Sequence, residues 1–343
     1  MNENFIEKIC AFSLKNWDHF QLAGEKPLRL LPRMVRRTNP ASKITYNGIM
    51  FYVDPEQDPV LYAKAIPSVQ KERYIREHAN LDLLDKELKN EKLRQSVMAR
   101  SLLFDGGRLT LLISRYVPGL SLDVVLSREE EMGGYLAYGD KSLAWLSLLQ
   151  RDNLHKIGFS QDMVLGEFDL LKDNLGSASA EVQALFDGYL NKIKGAFGAE
   201  VPVVYAHGDF APANIIIRDS EIVCVIDWEE FLQDRLPLMD FLRFIIIFSL
   251  NGAALVKAHP SHLDEYLAWV AQAQEKFLRE MGIGRDFFEE YARIALVESV
   301  NILIKRNKVR KMNGQAMMSL RLHDFAVFYP ENTFIEHLRK FLS

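Results

Sequence analysis

The chain has 343 residues, 48% hydrophobic and 26% charged. That is the make-up of an ordinary globular protein and excludes disordered, collagen-like and disulfide-scaffold classes. Forty-two Lys and Arg against 46 Asp and Glu leave a formal net charge of −4, a balance unlike the strong basicity of a dedicated nucleic-acid binder. Cys10 and Cys224 are the only cysteines. With no basic-then-apolar leader pattern after Met1, they lead to the expectation of a cytoplasmic protein. The most apolar run, Phe244-Ile245-Ile246-Ile247-Phe248-Ser249-Leu250, breaks at Asn251-Gly252. It is far shorter than the about 20 residues of a membrane span, so no span is expected.

In chain order, Phe5, Ile6, Ile9, Phe12 and Leu14 are spaced as on an N-terminal helix. Three strands of an antiparallel meander are predicted over 29–37, 44–53 and 60–66, with Asn47-Gly48 read as a turn or bulge. A helix is predicted over 68–88, capped by Ser68. Strands over 97–104 and 109–117 follow, joined by Asp105-Gly106-Gly107-Arg108, whose glycines suit a hairpin. Pro118-Gly119 marks a domain boundary, giving expected domains 1–117 and 118–343. Beyond it the 3.6-residue period predicts helices over 143–154, 164–175, 181–197, 236–250, 263–281, 287–304 and 315–328. A β island over 201–227 interrupts them.

That island carries the chemistry. It reads Tyr205-Ala206-His207-Gly208-Asp209-Phe210-Ala211-Pro212-Ala213-Asn214, and its second strand ends in Asp227-Trp228-Glu229. A hairpin turning at Asp219-Ser220 returns Asp227 beside the loop that holds Asp209 and Asn214, so three oxygen-bearing side chains are expected to converge. Mg2+ takes hard oxygen ligands and usually only one or two carboxylates together with phosphate oxygens. Phosphoryl transfer also needs a carboxylate to orient the attacking hydroxyl and accept its proton. Asn214 and Asp227 fit the metal, and Asp209 fits the base. Asp and Asn also shape turns, which is the competing reading of the same residues.

His207-x-Asp209-x4-Asn214 followed by Asp227 resembles the aminoglycoside phosphotransferase and choline kinase group of small-molecule phosphotransferases. The string through Asp227-Trp228-Glu229 to Pro237-Leu238-Met239-Asp240 looks closest to a bacterial branch associated with surface-polysaccharide gene clusters. The resemblance, over about residues 30–250, implies an α+β protein-kinase-like fold: a small antiparallel sheet lobe with one helix, a larger mainly helical lobe, and ATP or GTP bound between them. It implies that Lys64, in Leu61-Tyr62-Ala63-Lys64-Ala65-Ile66, holds the α and β phosphates. A glutamate of the next helix steadies it, Glu77 or, failing that, Glu72. Leu111 to Gly119 resembles the strand and hinge whose backbone, around Ser114 and Tyr116, meets the adenine edge. Asp240 matches a position that braces the catalytic loop, and His207 is expected as a buried support. The departures are the loop Thr38-Asn39-Pro40-Ala41-Ser42-Lys43, which lacks a G-x-G-x-x-G run, Asp-Trp-Glu in place of Asp-Phe-Gly, and His-Gly-Asp in place of His-Arg-Asp. The last two point away from protein substrates.

The expected reaction is Mg2+-dependent transfer of the γ-phosphoryl of ATP or GTP to a hydroxyl of a small molecule. A sugar or glycan acceptor fits the branch best, and an aminoglycoside or choline-like amino alcohol is the alternative. Asp234 and parts of 260–300 are expected in the acceptor pocket. Glu229 is read as a metal or acceptor contact or a plain surface carboxylate, and Trp228 as packing. Lys305-Arg306-Asn307-Lys308-Val309-Arg310-Lys311 is read as a solvated basic run. His259 and His262, with Asp264, have two-residue spacing but no cysteine or convincing third ligand, so no zinc site is expected, and Met317-Met318 is hydrophobic filling. The rivals are a catalytically silent nucleotide-binding module and a metal-dependent hydrolase using His207, Asp209 and Asp227.

Overall fold

The structure, a computed structural model, describes residues 3–284 and 294, apart from 23, 39–44, 69–70, 98–99, 161–168, 170–186, 189, 192 and 195–197. The helices expected over 164–175, 181–197, 287–304 and 315–328, the loop 38–43, the basic run 305–311 and the Met317-Met318 pair lie wholly or largely outside the described residues. The fold is α+β and protein-kinase-like in class. Antiparallel strands and a helix come first in the chain, and a larger, mainly helical part follows. Two compact units form, each from two stretches of chain: Met1–Leu122 with Asn214–Phe231, and Asp123–Ala213 with Leu232–Ser343.

The first unit contains helix α1 (Glu3–Lys15), strands β1 (Leu31–Thr38), β2 (Thr45–Tyr52) and β3 (Leu61–Pro67), helices α2 (Glu72–Glu87) and α3 (Glu91–Ser96), and strands β4 (Leu102–Asp105) and β5 (Leu109–Arg115). The five strands form one antiparallel sheet in the order β1-β2-β3-β5-β4. Side chains alternate between the faces of a strand. Leu61 and Ala63 of β3, with Leu111 and Ile113 of β5, therefore share one face. There they bury Ile9, Trp17 and Phe20 of the N-terminal segment. Ile66 and Leu112 point to the other face and pack on Tyr74 of α2. Lys64 has the parity of Ile66, so the strand itself aims it toward α2.

Three local expectations are corrected here. Asn47-Gly48 is no turn: Gly48 lies inside β2, paired with Val35 and Lys64. Glycine is needed there because a Cβ would stand 2.6 Å from the Tyr62 ring. Ser68 is not the cap of α2. Its hydroxyl meets that of Thr110 at 3.2 Å, and α2 begins at Glu72 without a side-chain cap. Residues 97–104 are not one strand. Val97 follows α3, where it makes a lone parallel bridge to Val225, and β4 starts at Leu102.

A smaller sheet completes this unit, in the order β10-β9-β6, from β6 (Leu120–Ser121), β9 (Ile215–Arg218) and β10 (Glu221–Val225). The β9–β10 hairpin turns at Asp219 and Ser220, both at positive φ (52° and 62°), as the tightest right-twisted hairpins require.

The second unit contains helices α4 (Leu122–Leu126, whose first residue belongs to the other unit) and α5 (Met132–Asp152), strands β7 (His155–Gly158), β8 (Glu200–Ala206) and β11 (Leu232–Arg235), and helices α6 (Leu238–Asn251), α7 (Ala253–Ala258) and α8 (Pro260–Met281). The sheet β11-β8-β7 was not expected from sequence, and α5 starts at Met132 rather than near 143. In the apolar run of α6, Phe244, Ile245 and Phe248 are buried. Phe244 stacks on Phe248 at 5.1 Å, and Phe248 lies 5.5 Å from Trp269 of α8. Trp145 of α5 stacks on Phe210 at 5.6 Å and 6°. Among the described residues no helix is long and apolar enough to cross a membrane.

Candidate active site

In the first unit, β3 and α2 bring together a lysine and a glutamate 13 residues apart. Lys64 Nζ donates to Glu77 Oε1 at 2.8 Å and to Asp227 Oδ1 at 3.0 Å. The glutamate that meets Lys64 is thus Glu77, from the middle of α2, and not Glu72. Burial alone would lower the Lys64 ammonium, but the charges of Asp227 and Glu77 outweigh it and hold the proton well above the usual lysine range. Burial pushes the Glu77 carboxyl up to about 7 against the pull of Lys64. Its second oxygen, Oε2, is buried without a partner.

Asp227 sits just past β10 at φ 73°. Asn214 immediately precedes β9, and the Ile226 N–H donates to the Asn214 carbonyl at 2.9 Å. The hairpin therefore brings Asn214 and Asp227 side by side in one unit. Trp228 is fully buried, with Nε1 donating to the Val225 carbonyl at 2.9 Å. Glu229, at 3% exposure, is no surface carboxylate. It accepts a two-pronged bond from Arg73, with Nε at 2.7 Å from Oε2 and Nη2 on Oε1. Among the described residues no group of three or more His, Cys, Asp or Glu is set to hold a metal ion by itself.

In the second unit, the chain leaves β8 at Ala206 and turns through Gly208 at φ 79°, a conformation that favours glycine. Asp240, in the first turn of α6, reaches this turn. Its Oδ2 accepts from the His207 N–H at 2.6 Å and its Oδ1 from the Gly208 N–H at 3.0 Å. Burial raises the Asp240 carboxyl to about 6 even though those amides favour its charged form. His207 is fully buried, and its Nδ1 accepts from the Asp209 N–H at 3.2 Å. Asp209 Oδ1 meets Arg243 Nη2 at 2.5 Å, both side chains being buried. Arg243 lies three residues after Asp240, on the same side of α6.

The sequence profile of the phosphotransferase enzyme family matches residues 51–263, a stretch that contains every one of these groups. The chain belongs to that family. The family's reaction is ATP- and Mg2+-dependent phosphoryl transfer to a small-molecule hydroxyl, and the chain is an enzyme of this kind. Solved phosphotransferases share its fold. Choline kinase LicA from Streptococcus pneumoniae is 14% identical, over 98% of this chain and 99% of that one, with a TM-score of 0.52. A thermostable mutant of aminoglycoside phosphotransferase APH(4)-Ia is 12% identical, over 87% and 95%, with a TM-score of 0.51. A putative fructosamine-3-kinase from Thermobifida fusca is 13% identical, over 91% and 96%, with a TM-score of 0.50. Among curated proteins none matches the chain.

Other residues singled out in the sequence have plain surroundings. Ser114 is buried in β5 opposite Tyr62, and its hydroxyl lies 3.5 Å from the Tyr62 carbonyl. The Tyr116 N–H donates to the Val60 carbonyl at 2.9 Å. Asp234, on β11 at φ 54°, pairs with His155 at 3.1 Å on an exposed surface. His259 accepts from the Ser261 N–H at the start of α8. Arg73, Asn80 and Arg243 are the polar residues that sequence reasoning missed. Each had one signal in the sequence, its helical spacing: Arg73 and Asn80 from Glu77, and Arg243 from Asp240.

Proposed function

We propose that Asp209 orients the acceptor hydroxyl and takes its proton, that Lys64 holds the α and β phosphates, and that Asn214 and Asp227 hold Mg2+. The bond of Lys64 to both Glu77 and Asp227 carries this reading, because it ties the phosphate-binding cation to a metal-binding carboxylate. An ammonium has three N–H donors. Two are used by these carboxylates, and the third serves a phosphate oxygen. One amide and one carboxylate are too few to hold Mg2+ unaided, but they are the hard oxygen donors it takes when nucleotide phosphates complete its shell. When bound, the ion neutralises charge between the β and γ phosphates.

Arg243 pairs with Asp209 and holds its carboxyl group in one orientation. His207 and the Asp240 cradle fix the turn that carries it. The Ser114–Tyr116 segment meets the adenine edge of ATP or GTP. The same reading puts the enzyme in the cytoplasm, where Mg2+ and nucleoside triphosphates are at hand.

For the acceptor, an amino alcohol or aminoglycoside has more support than a sugar or glycan. Fold relatives named for choline and for aminoglycosides support the first. The second, with its surface-polysaccharide branch, rests on sequence resemblance. The test is an acceptor panel of choline, ethanolamine, several aminoglycosides and neutral monosaccharides, followed by ADP release with Mg2+ and ATP. Turnover confined to the amine-bearing compounds is expected. Turnover of neutral sugars alone would overturn the acceptor class, and silence throughout together with no nucleotide binding would overturn the kinase reading.

A further inference from the structure

Helix α2 is tied to the segment after β10 along a single face. Arg73, Glu77 and Asn80 recur at i, i+4 and i+7, the spacing that lines one side of a helix. Each reaches a different part of 227–229. Glu77 shares Lys64 with Asp227. Arg73 holds Glu229 through two N–H groups. Asn80 Nδ2 donates to the Trp228 carbonyl at 2.7 Å. All of this lies within the first unit.

The chemistry of these ties is not that of a solvated helix face. Glu229 is nearly as buried as Glu77. A fork-to-fork guanidinium–carboxylate pair fixes direction as well as distance, which a lone ammonium does not. Helix α2 starts without a side-chain cap, and Arg73, in its first turn, ties that end to Glu229. Trp228 is itself locked by its indole N–H to Val225, so the carbonyl that Asn80 grips is a fixed point. The backbone between Asp227 and Glu229 is thereby held at both side chains and at the carbonyl between them.

We propose that Arg73, Glu229 and Asn80 are positioning residues. They strap α2 to the metal-binding segment, so that Glu77, Lys64 and Asp227 stand ready for a Mg2+–nucleotide complex before it arrives. This rests on the roles proposed above for Lys64 and Asp227. The strap acts on the metal-bearing form of the nucleotide, because it sets the direction of Asp227. Loosening it weakens Mg·ATP binding more than binding of ATP without metal.

The experiment is calorimetric titration of the full chain with Mg·ATP and with ATP plus a chelator, for the wild type, Arg73→Lys, Asn80→Ala and Glu229→Gln. Lys64→Ala is the control for the underlying reading. Phe20→Leu, in the N-terminal cluster far along the chain from these residues, is the control for general loss of stability. Arg73→Lys keeps the charge and loses the fork, so it remains folded where larger changes at this pair fail. About tenfold weaker Mg·ATP binding is expected in Arg73→Lys and Asn80→Ala. The ratio of affinities with and without Mg2+ falls, while Phe20→Leu leaves that ratio at the wild-type value. Equal weakening with and without metal, or the same pattern in Phe20→Leu, reduces the strap to ordinary packing and overturns the inference. Wild-type binding of Mg·ATP that is unchanged in Lys64→Ala overturns the roles on which the inference rests, a distinct result.

Discussion

The two units hold their buried acids by different means. In the first, charge meets charge: Lys64 stands between Glu77 and Asp227, and Arg73 faces Glu229. In the second, Asp240 is cradled by two backbone N–H groups, and Asp209 is paired with the Arg243 guanidinium. Ion pairs assembled from distant side chains are costly to break one partner at a time, because the survivor is left as a buried charge. An amide cradle is built by a short loop and one helix turn, and it fails mainly by loosening that loop. Each variant below separates these two designs, starting with the largest effect.

Asp209→Asn removes the proposed proton acceptor while keeping the size of the side chain. Loss of a positioned general base lowers turnover by about 10²–10⁴. Turnover within threefold of the wild type, measured on any accepted substrate, would remove Asp209 from the mechanism. Arg243 loses its counter-charge in the same variant, so a fall in melting temperature accompanies the loss.

Lys64→Ala leaves Glu77 buried and unpaired, and breaking such a pair costs about 3–5 kcal/mol. Adding Glu77→Gln to Lys64→Ala should restore part of that stability, and nucleotide binding should stay lost. A double variant no more stable than Lys64→Ala alone would show that the ion pair is not what the first unit depends on. Denaturant midpoints give the comparison, since the two substitutions are in contact and their effects should not add.

The second unit answers to pH. The folded state keeps the Asp240 carboxyl at about 6, against 3.8 for the ordinary group. Between those values the folded state binds a proton that the unfolded state has released. The resulting stabilisation is full below about 3.8 and is lost as pH rises through about 6. Asp240→Asn has no such proton, so the melting temperature of the wild type minus that of the variant should shrink from pH 4 to pH 6.5. A difference that grows over that range would mean that the amide donors outweigh burial.

What was legible in the sequence follows the same division. The loop from His207 to Asn214 and the hairpin back to Asp227 could be read because they are local: turn residues, two short apolar runs and a return. Periodicity gave the strand and the helix that carry Lys64 and Glu77, but the two residues themselves were singled out by the resemblance to the phosphotransferase pattern. The Arg73–Glu229 pair was not, because its members are 156 residues apart and each alone looks like a solvated charge. Gly48 was misread because Asn-Gly is a turn signal, and only the Tyr62 ring across the sheet shows why a glycine stands there. The sheet β11-β8-β7 escaped because its outer strands have four residues each, too few for a period to show.

The smallest effect belongs to Asp234, and it sharpens the acceptor question. Its backbone is left-handed, at φ 54°, a region that Asn also tolerates, so Asp234→Asn removes the charge without straining the chain. The pair with His155 is about half exposed on both sides, where ion pairs contribute about 0–1 kcal/mol. Stability should therefore barely change. If Asp234 faces the acceptor, losing its carboxylate should raise KM for a cationic amino alcohol about two- to fivefold, the range that such an exposed charge can supply. KM for a neutral hydroxyl compound should not move. Equal KM values for both compounds in wild type and variant would detach Asp234 from the acceptor. The recognising charge would then have to be sought on the buried side of the second unit, where carboxylates are held by arginine and amides.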